Sequence, residues 1–355
     1  TEKRRAVVWG QVLETSVEDV EADFFASGGH SVLAVKLLGA VEREFGIRLP
    51  LSTLFANPTL ASLSLRLEAG SRQDDWQAVV ALNSDGSKTP LICFHPVGGN
   101  VLCYQSLAQH LGPDQPVYMV QAQGQEEGQA LLPTVEDMVA AYLEAIRRVV
   151  PPGPWALAGW SFGGTLAFEA ARRLQRLGER VSAVMLFDAV AVPDPIRNLL
   201  RQDDADYLAD LFSEMGIITA QDLRSLGQDE RLDLLVERAR GTDLLPEGGT
   251  RESMRRMLAL FQNNALAAVR YRPQPIASRL LLIRPRVPSR AAPGLPGDEY
   301  NGWRPLAAGG VTLRWMDGQH GQMLLEPHIG QLAQLAREHL SENQPEAANA
   351  TTQSQ

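Results

Sequence analysis

Ser161 stands in the run Gly159-Trp160-Ser161-Phe162-Gly163, with apolar residues before it and an Ala/Leu-rich helical pattern after it. A serine hydroxyl is a weak nucleophile until a base takes its proton, and G-x-S-x-G at a strand-to-helix turn is a setting in which that happens. The flanking glycines let strand and helix close on each other. The turn lifts the hydroxyl onto a helix N-terminus, where backbone N–H groups favour developing negative charge. The N–H of Phe162, next after the nucleophile, is one expected oxyanion donor. An acid and then a base must follow downstream. Of the six histidines, only His320, in MDGQHGQML, follows a strand late in the chain. His30 and His95 belong to glycine-rich loops, and His110, His328 and His339 lie in or beside helical patterns. For the acid, Asp188 ends the apolar run VSAVMLFD, where open α/β sheets place their functional groups. The next strand offers nothing acidic until Asp298 and Glu299, which stand as alternatives.

These groups need a scaffold of alternating strands and helices. Apolar runs predict strands over 79–82, 91–94, 117–121, 155–158, 181–187, 279–284 and 311–316. Helical spacing predicts helices over 135–150, with Thr134 as cap, and over 165–177. Strands that are nearly continuously apolar imply a mostly parallel sheet covered on both faces, the α/β-hydrolase pattern. Between Pro193 and Pro275 the chain turns helical and charged, with spacings such as Leu208, Leu211, Phe212 and Met215, then Met254, Met257, Leu258 and Phe261. This stretch, about 194–275, reads as a helical lid inserted over the site.

A second serine opens a second kind of chemistry. ASGGHS precedes Leu33, Leu37, Val41 and Phe45, spaced every four residues, so Ser31 begins an amphipathic helix. Trp9, Val12 and Leu13, then Val17, Val20, Phe24 and Phe25, precede it. A last helix, capped by Thr59, carries Leu60, Leu63 and Leu67, which completes a small all-α four-helix bundle over 1–70. The aperiodic polar run EAGSRQDD predicts a flexible tether at 71–75, between that bundle and a larger domain over 76–340. Residues 341–355, Ala/Thr/Gln-rich from 344 on, read as a disordered tail. The chain opens at Thr1, without methionine and already in a helical pattern, as a piece cut from a larger polypeptide would.

Composition removes several classes of function. At 355 residues the chain can bury a sizeable core, and a net charge of −9 with both signs interspersed leaves no basic footprint for nucleic acid. No apolar run approaches a membrane span and no secretory signal opens the chain, so a cytoplasmic location is expected. Cys93 and Cys103 read as reduced packing residues, with no disulfide and no metal site expected.

The run DFFASGGHSVLAVKLL at Asp23 to Leu38 resembles the carrier-protein signature of nonribosomal peptide synthetases, over about residues 5–67. The resemblance implies that Ser31 carries 4′-phosphopantetheine. A phosphodiester at a helix N-terminus meets unsatisfied N–H groups and the positive end of the helix dipole, which suits that role. His30 in place of the aspartate usual in polyketide carriers tilts the resemblance to a peptidyl carrier. The second domain is similar to the type I thioesterases of these synthetases over about residues 76–340, most specifically at the elbow, at HPVGG from His95 to Gly99 and at GQHGQML. LFDAVAVP resembles the site of the acid in these thioesterases, which implies Asp188, and HPVGG implies the N–H of Val97 as second oxyanion donor.

The whole then reads as the C-terminal carrier and thioesterase pair of a synthetase. A peptidyl chain made by upstream condensation and adenylation domains passes from Ser31 to Ser161, with His320 as base and Asp188 orienting it. A phosphopantetheinyl transferase primes the carrier. Release follows by cyclisation or oligomerisation, which a lid of this size favours by excluding water, or by hydrolysis. The competing readings are the terminus of a polyketide or hybrid synthase and a non-catalytic docking module beside a working carrier.

Overall fold

The computed structural model of the protein describes residues 8–10, 12–13, 19–24, 27–29, 31–47, 49, 53–54, 58–68, 77–125, 128–191, 218–240, 245, 249–288 and 295–343. The tether at 71–75, residues 344–355 of the expected tail, His30, Val17, Phe25 and the lid positions Leu208, Leu211, Phe212 and Met215 lie outside the described residues. The tail expected from 341 starts later, because Ser341 and Glu342 continue the helix Ile329–Glu342.

The N-terminal segment is helical. Helix α1 spans Ser31–Phe45 and α2 spans Leu60–Glu68, with further helical residues at 8–10, 12–13 and 53–54. Ala34, Leu37, Leu38 and Val41 of α1 share one buried cluster with Trp9, Phe24, Leu60, Leu63 and Leu67. The i, i+3, i+4 stripe read from the sequence is therefore the face that leaves water. Trp9 and Phe24 meet edge to face with centroids 5.3 Å apart. Thr59 Oγ1 accepts the Ser62 N–H at 3.1 Å, the cap expected at the start of α2.

The larger domain is a seven-stranded sheet in the order β1-β3-β2-β4-β5-β6-β7. Its strands are β1 Val79–Leu82, β2 Leu91–Phe94, β3 Val117–Val120, β4 Trp155–Trp160, β5 Val181–Phe187, β6 Leu280–Pro285 and β7 Val311–Met316. β1 pairs antiparallel with β3 at the edge; every other pairing is parallel. Successive residues of a strand face opposite sides, and both sides here are apolar. Ile92, Leu157, Val184 and Leu282 join the cluster under helices α4 (Val135–Val149) and α5 (Phe162–Arg176). Cys93, Ala158, Met185 and Leu281 join the cluster under α3 (Gln105–Leu111) and α9 (Ile329–Glu342). This is the three-layer arrangement expected of an α/β hydrolase.

The chain reverses its direction of travel across the sheet between β2 and β4, because β3 is added on one side and β4 on the other. Open α/β sheets bind ligands at such a switch point, beyond the carboxyl ends of the strands. The register aligns Phe94 with Gly159, Trp160 with Phe187 and Phe187 with Ile283, so the residues that follow these positions emerge along one edge.

Most boundaries differ from the sequence reading by a residue at most, and the two on either side of Ser161 differ by more for one reason. β4 runs on to Trp160, and α5 begins at Phe162 rather than 165. Low helix propensity at Gly163 and Gly164 argued for a later start, but close packing of the helix end against β2 decides it. In the lid, three helices are described: α6 (Ala220–Arg224), α7 (Gln228–Ala239) and α8 (Arg251–Arg270). Met254 of α8 belongs to a separate lid cluster with Leu223 and Leu235, while Ala267 and Ala268 join the main core. Among the described residues no helix is long and apolar enough to cross a membrane.

Candidate active site

Ser161 lies between β4 and α5 with φ 56° and ψ −122°, a backbone region that residues other than glycine seldom occupy. Such a conformation costs on the order of 1–3 kcal/mol and persists only where the surroundings enforce it. Here they do. The Ser161 N–H donates to Phe187 O at 2.9 Å, tying the turn to β5. A Cβ on Gly159 would stand 2.0 Å from the Gly163 carbonyl carbon, and one on Gly163 would stand 2.3 Å from Phe94 O. Strand, turn and helix thus approach to distances that only glycine permits.

Asp188 follows β5 directly, is 4% exposed and also has positive φ, at 46°. Its N–H donates to Ile283 O at 2.8 Å. His320 opens a short 3-10 turn, His320–Gln322, beyond β7 and is buried. Its Nδ1 lies 2.8 Å from Asp188 Oδ2. With the Nδ1–H donated to the carboxylate, Nε2 keeps its lone pair and can accept a proton. The indole of Trp160, next to Ser161, lies against the His320 ring with centroids 5.0 Å apart. Asp188 and His320 are therefore brought together, beside the residue that precedes Ser161.

The alternative acids are elsewhere. The Asp298 carboxylate accepts the N–H of Tyr300 at 2.8 Å and of Gly302 at 2.7 Å, the work of a turn former. Its own carbonyl and that of Glu299 accept Arg284 Nη1–H. Arg284 occupies the end of β6, where the sequence showed no acid, and its Nε approaches Asp188 Oδ1 at 3.5 Å. Sequence reasoning missed this cation, although a charged residue at the end of an apolar strand was a signal for it. It also missed Tyr104, whose hydroxyl donates to Phe94 O at 2.6 Å and accepts the Trp160 N–H at 2.8 Å, stapling the ends of β2 and β4. No sequence pattern marked Tyr104.

Val97 lies in the turn that leaves β2, and Phe162 is the first residue of α5, whose N–H has no acceptor within the helix. His95, read as a loop histidine, is fully buried, with Nδ1 at 2.8 Å from Pro96 O and Nε2 at 2.9 Å from Tyr142 Oη. Burial pushes its pKa down to about 4, against the opposing pull of the Pro96 carbonyl. The sign of the resulting pH effect is fixed. Below the ordinary imidazole value of 6.5 the unfolded chain binds a proton here that the folded chain refuses down to about pH 4. This contribution is whole above that ordinary value and is lost as pH falls through the folded one. Stability is expected to fall by about 3 kcal/mol across that window, and His95→Asn to flatten the dependence. Urea unfolding of both chains at several pH values measures the difference in slope.

On the N-terminal segment, Ser31 is the first residue of the 15-residue helix α1. Gly28, with φ +95°, is exposed, and none of the described residues lies within 4 Å of where its Cβ would stand. A serine at a helix N-terminus fits a phosphodiester-linked group.

Sheet order, elbow and carboxylate–imidazole pair define an α/β hydrolase of the serine type. The chain belongs to the thioesterase domain family, which it matches over residues 89–340, and it matches the phosphopantetheine attachment site family over residues 6–67. It is a phosphopantetheine carrier followed by a thioesterase, a serine hydrolase. The chain is 41% identical over 179 residues to a dimodular nonribosomal peptide synthase of Bacillus subtilis (strain 168), covering 50% of this chain and 8% of that protein. It is 41% identical over 188 residues to malpibaldin synthetase of Mortierella alpina, covering 52% of this chain and 3% of that one. The chain thus spans under a tenth of the length of either relative. Among solved structures, a holo four-domain nonribosomal peptide synthetase bound to AMP and glycine aligns with 95% of this chain and 26% of its own, at 28% identity and a TM-score of 0.69. The surfactin thioesterase domain aligns with 76% of this chain and 98% of its own, at 20% identity and a TM-score of 0.50, a likeness of fold.

Proposed function

We propose that this chain ends the assembly of a nonribosomal peptide, taking the finished acyl chain onto Ser161 and releasing it. The observation that carries the reading is the 2.8 Å approach of His320 Nδ1 to Asp188 Oδ2 beside the strained elbow. When bound at Ser31, 4′-phosphopantetheine supplies the acyl group as a thioester, an activated form. His320 Nε2 takes the Ser161 proton as the hydroxyl oxygen attacks the acyl carbonyl. Asp188 keeps the imidazole in the competent tautomer and stabilises its charged form. The N–H groups of Val97 and Phe162 receive the negative charge that develops on the acyl oxygen. His320 then gives that proton to the departing sulfur as the thioester C–S bond breaks, and Ser161 is left holding the acyl chain as an ester.

Water or an amine or hydroxyl of the chain itself then resolves that ester, with His320 again as base. The acyl chain comes from condensation and adenylation domains upstream in the same synthetase, a phosphopantetheinyl transferase primes Ser31, and the reaction is cytoplasmic. The mass of the product distinguishes ring from acid: they differ by one water.

The choice of acid is the test of the site. Asp188→Asn is expected to lower kcat by on the order of 10³- to 10⁴-fold, because the amide favours the wrong tautomer of the imidazole. Asp298→Asn, at a turn, is expected to change kcat by less than about threefold and to cost about 1 kcal/mol of stability. Steady-state hydrolysis of a short acyl thioester by the two variants measures both effects, and the reverse ranking would remove Asp188 from the mechanism.

A further inference from the structure

The peptide groups on both sides of Val97 are pinned by buried side chains from different parts of the fold. Before it, Pro96 O accepts the His95 Nδ1–H at 2.8 Å and the Gly99 N–H at 2.9 Å. After it, Val97 O accepts an Asn264 Nδ2–H at 2.8 Å. His95 is 0% and Asn264 1% exposed, so both side chains are withdrawn from water. With the His95 proton on Nδ1, Nε2 accepts the Tyr142 hydroxyl of α4 at 2.9 Å. One ring is thereby anchored to the body of the domain at one nitrogen and holds the loop with the other. Its centroid also lies 5.9 Å from that of Phe162, which bears the other proposed donor.

In a trans peptide the N–H points opposite to the carbonyl across the same C–N bond. Whatever fixes Pro96 O therefore fixes the aim of the Val97 N–H. We infer that His95 and Asn264 are positioning residues for that N–H, His95 holding the loop from the sheet side and Asn264 from the lid helix α8. The inference rests on the reading of Val97 and Phe162 as oxyanion donors. It adds that one donor is held jointly by body and lid, so its aim depends on where α8 sits. The depressed pKa of His95 is consistent with a neutral ring whose contribution is geometric. A donor aimed at developing charge matters more in the transition state than in the ground state, so its loss falls on kcat and leaves KM nearly unchanged.

The test uses the full chain, an alkyl fluorophosphonate as probe of Ser161 and a short acyl thioester as substrate. His95→Leu and Asn264→Leu are each expected to slow modification of Ser161, followed by intact mass, and to lower kcat by on the order of 10- to 100-fold, with KM within about twofold. His95→Asn, which returns an amide N–H near the place of Nδ1–H, is expected to recover most of the loss. A merely structural role predicts a lowered melting temperature, with wild-type rates in the folded protein and no selective rescue by asparagine; that result overturns the inference. Should His95→Leu not fold, Asn264→Leu decides alone: wild-type kcat and labelling rate in that variant remove the lid from the positioning of the donor. Failure of the underlying reading looks different, because the wild-type chain itself would then resist the fluorophosphonate or be modified away from Ser161.

Discussion

Ser161→Ala is expected to leave the chain folded and the carrier loadable while product release falls by on the order of 10⁴-fold or more. The elbow exists to present one oxygen, and alanine removes that oxygen with little change of volume. The positive φ of Ser161 is enforced by close contacts of Gly159 and Gly163 and by the N–H bond to Phe187, none of which involves the hydroxyl. Alanine tolerates that backbone no better than serine, so a small loss of stability is expected, well short of unfolding. His320→Ala should approach the same rate, since the members act as a unit and their losses do not add. Chromatographic assay of acid and ring released from an acyl thioester, with intact mass of the chain at each time point, separates a block in acylation from a block in release. Release by Ser161→Ala at wild-type rate would remove the proposed nucleophile.

Ser31→Ala is expected to abolish loading altogether. A phosphopantetheinyl transferase with coenzyme A should add a single phosphopantetheine to the wild-type chain and none to the variant, as read by intact mass. Hydrolysis of a short soluble thioester by the variant should stay within about twofold of wild type, because that substrate reaches Ser161 without the carrier. The pair of readouts separates the two serines. Loading that survives Ser31→Ala would place the attachment elsewhere in the segment.

Much of the scaffold was legible because its signals are local. The runs at 79–82, 91–94, 181–187 and 311–316 are strands with those same bounds, since each is a short apolar-rich run set off by turn-forming residues. The bounds of helix α3 were not read, although His110 was placed in or beside a helical pattern: Leu107, Ala108 and Leu111 are too short an apolar run to fix its ends. The approach of His320 to Asp188, 132 residues apart, follows from the order of strands in the sheet, and no window of sequence contains that order. Arg284 beside Asp188 was hidden in the same way, and so was the burial of His95, whose partner Tyr142 lies 47 residues further on.

Helix α8 belongs to two cores at once. Its first turns, with Met254, bury against α6 and α7, and its last turns, with Ala267 and Ala268, bury against the sheet layer. Twenty residues of helix span about 30 Å, far enough that the two contacts do not share side chains. A splice point therefore falls between Met254 and Leu260, since Leu260 already lies against Gly99. A foreign lid joined there in helical register would bring its own apolar cluster and leave the sheet layer undisturbed. The graft would have to keep Asn264 on the body side of the junction, with its bond to Val97 O intact.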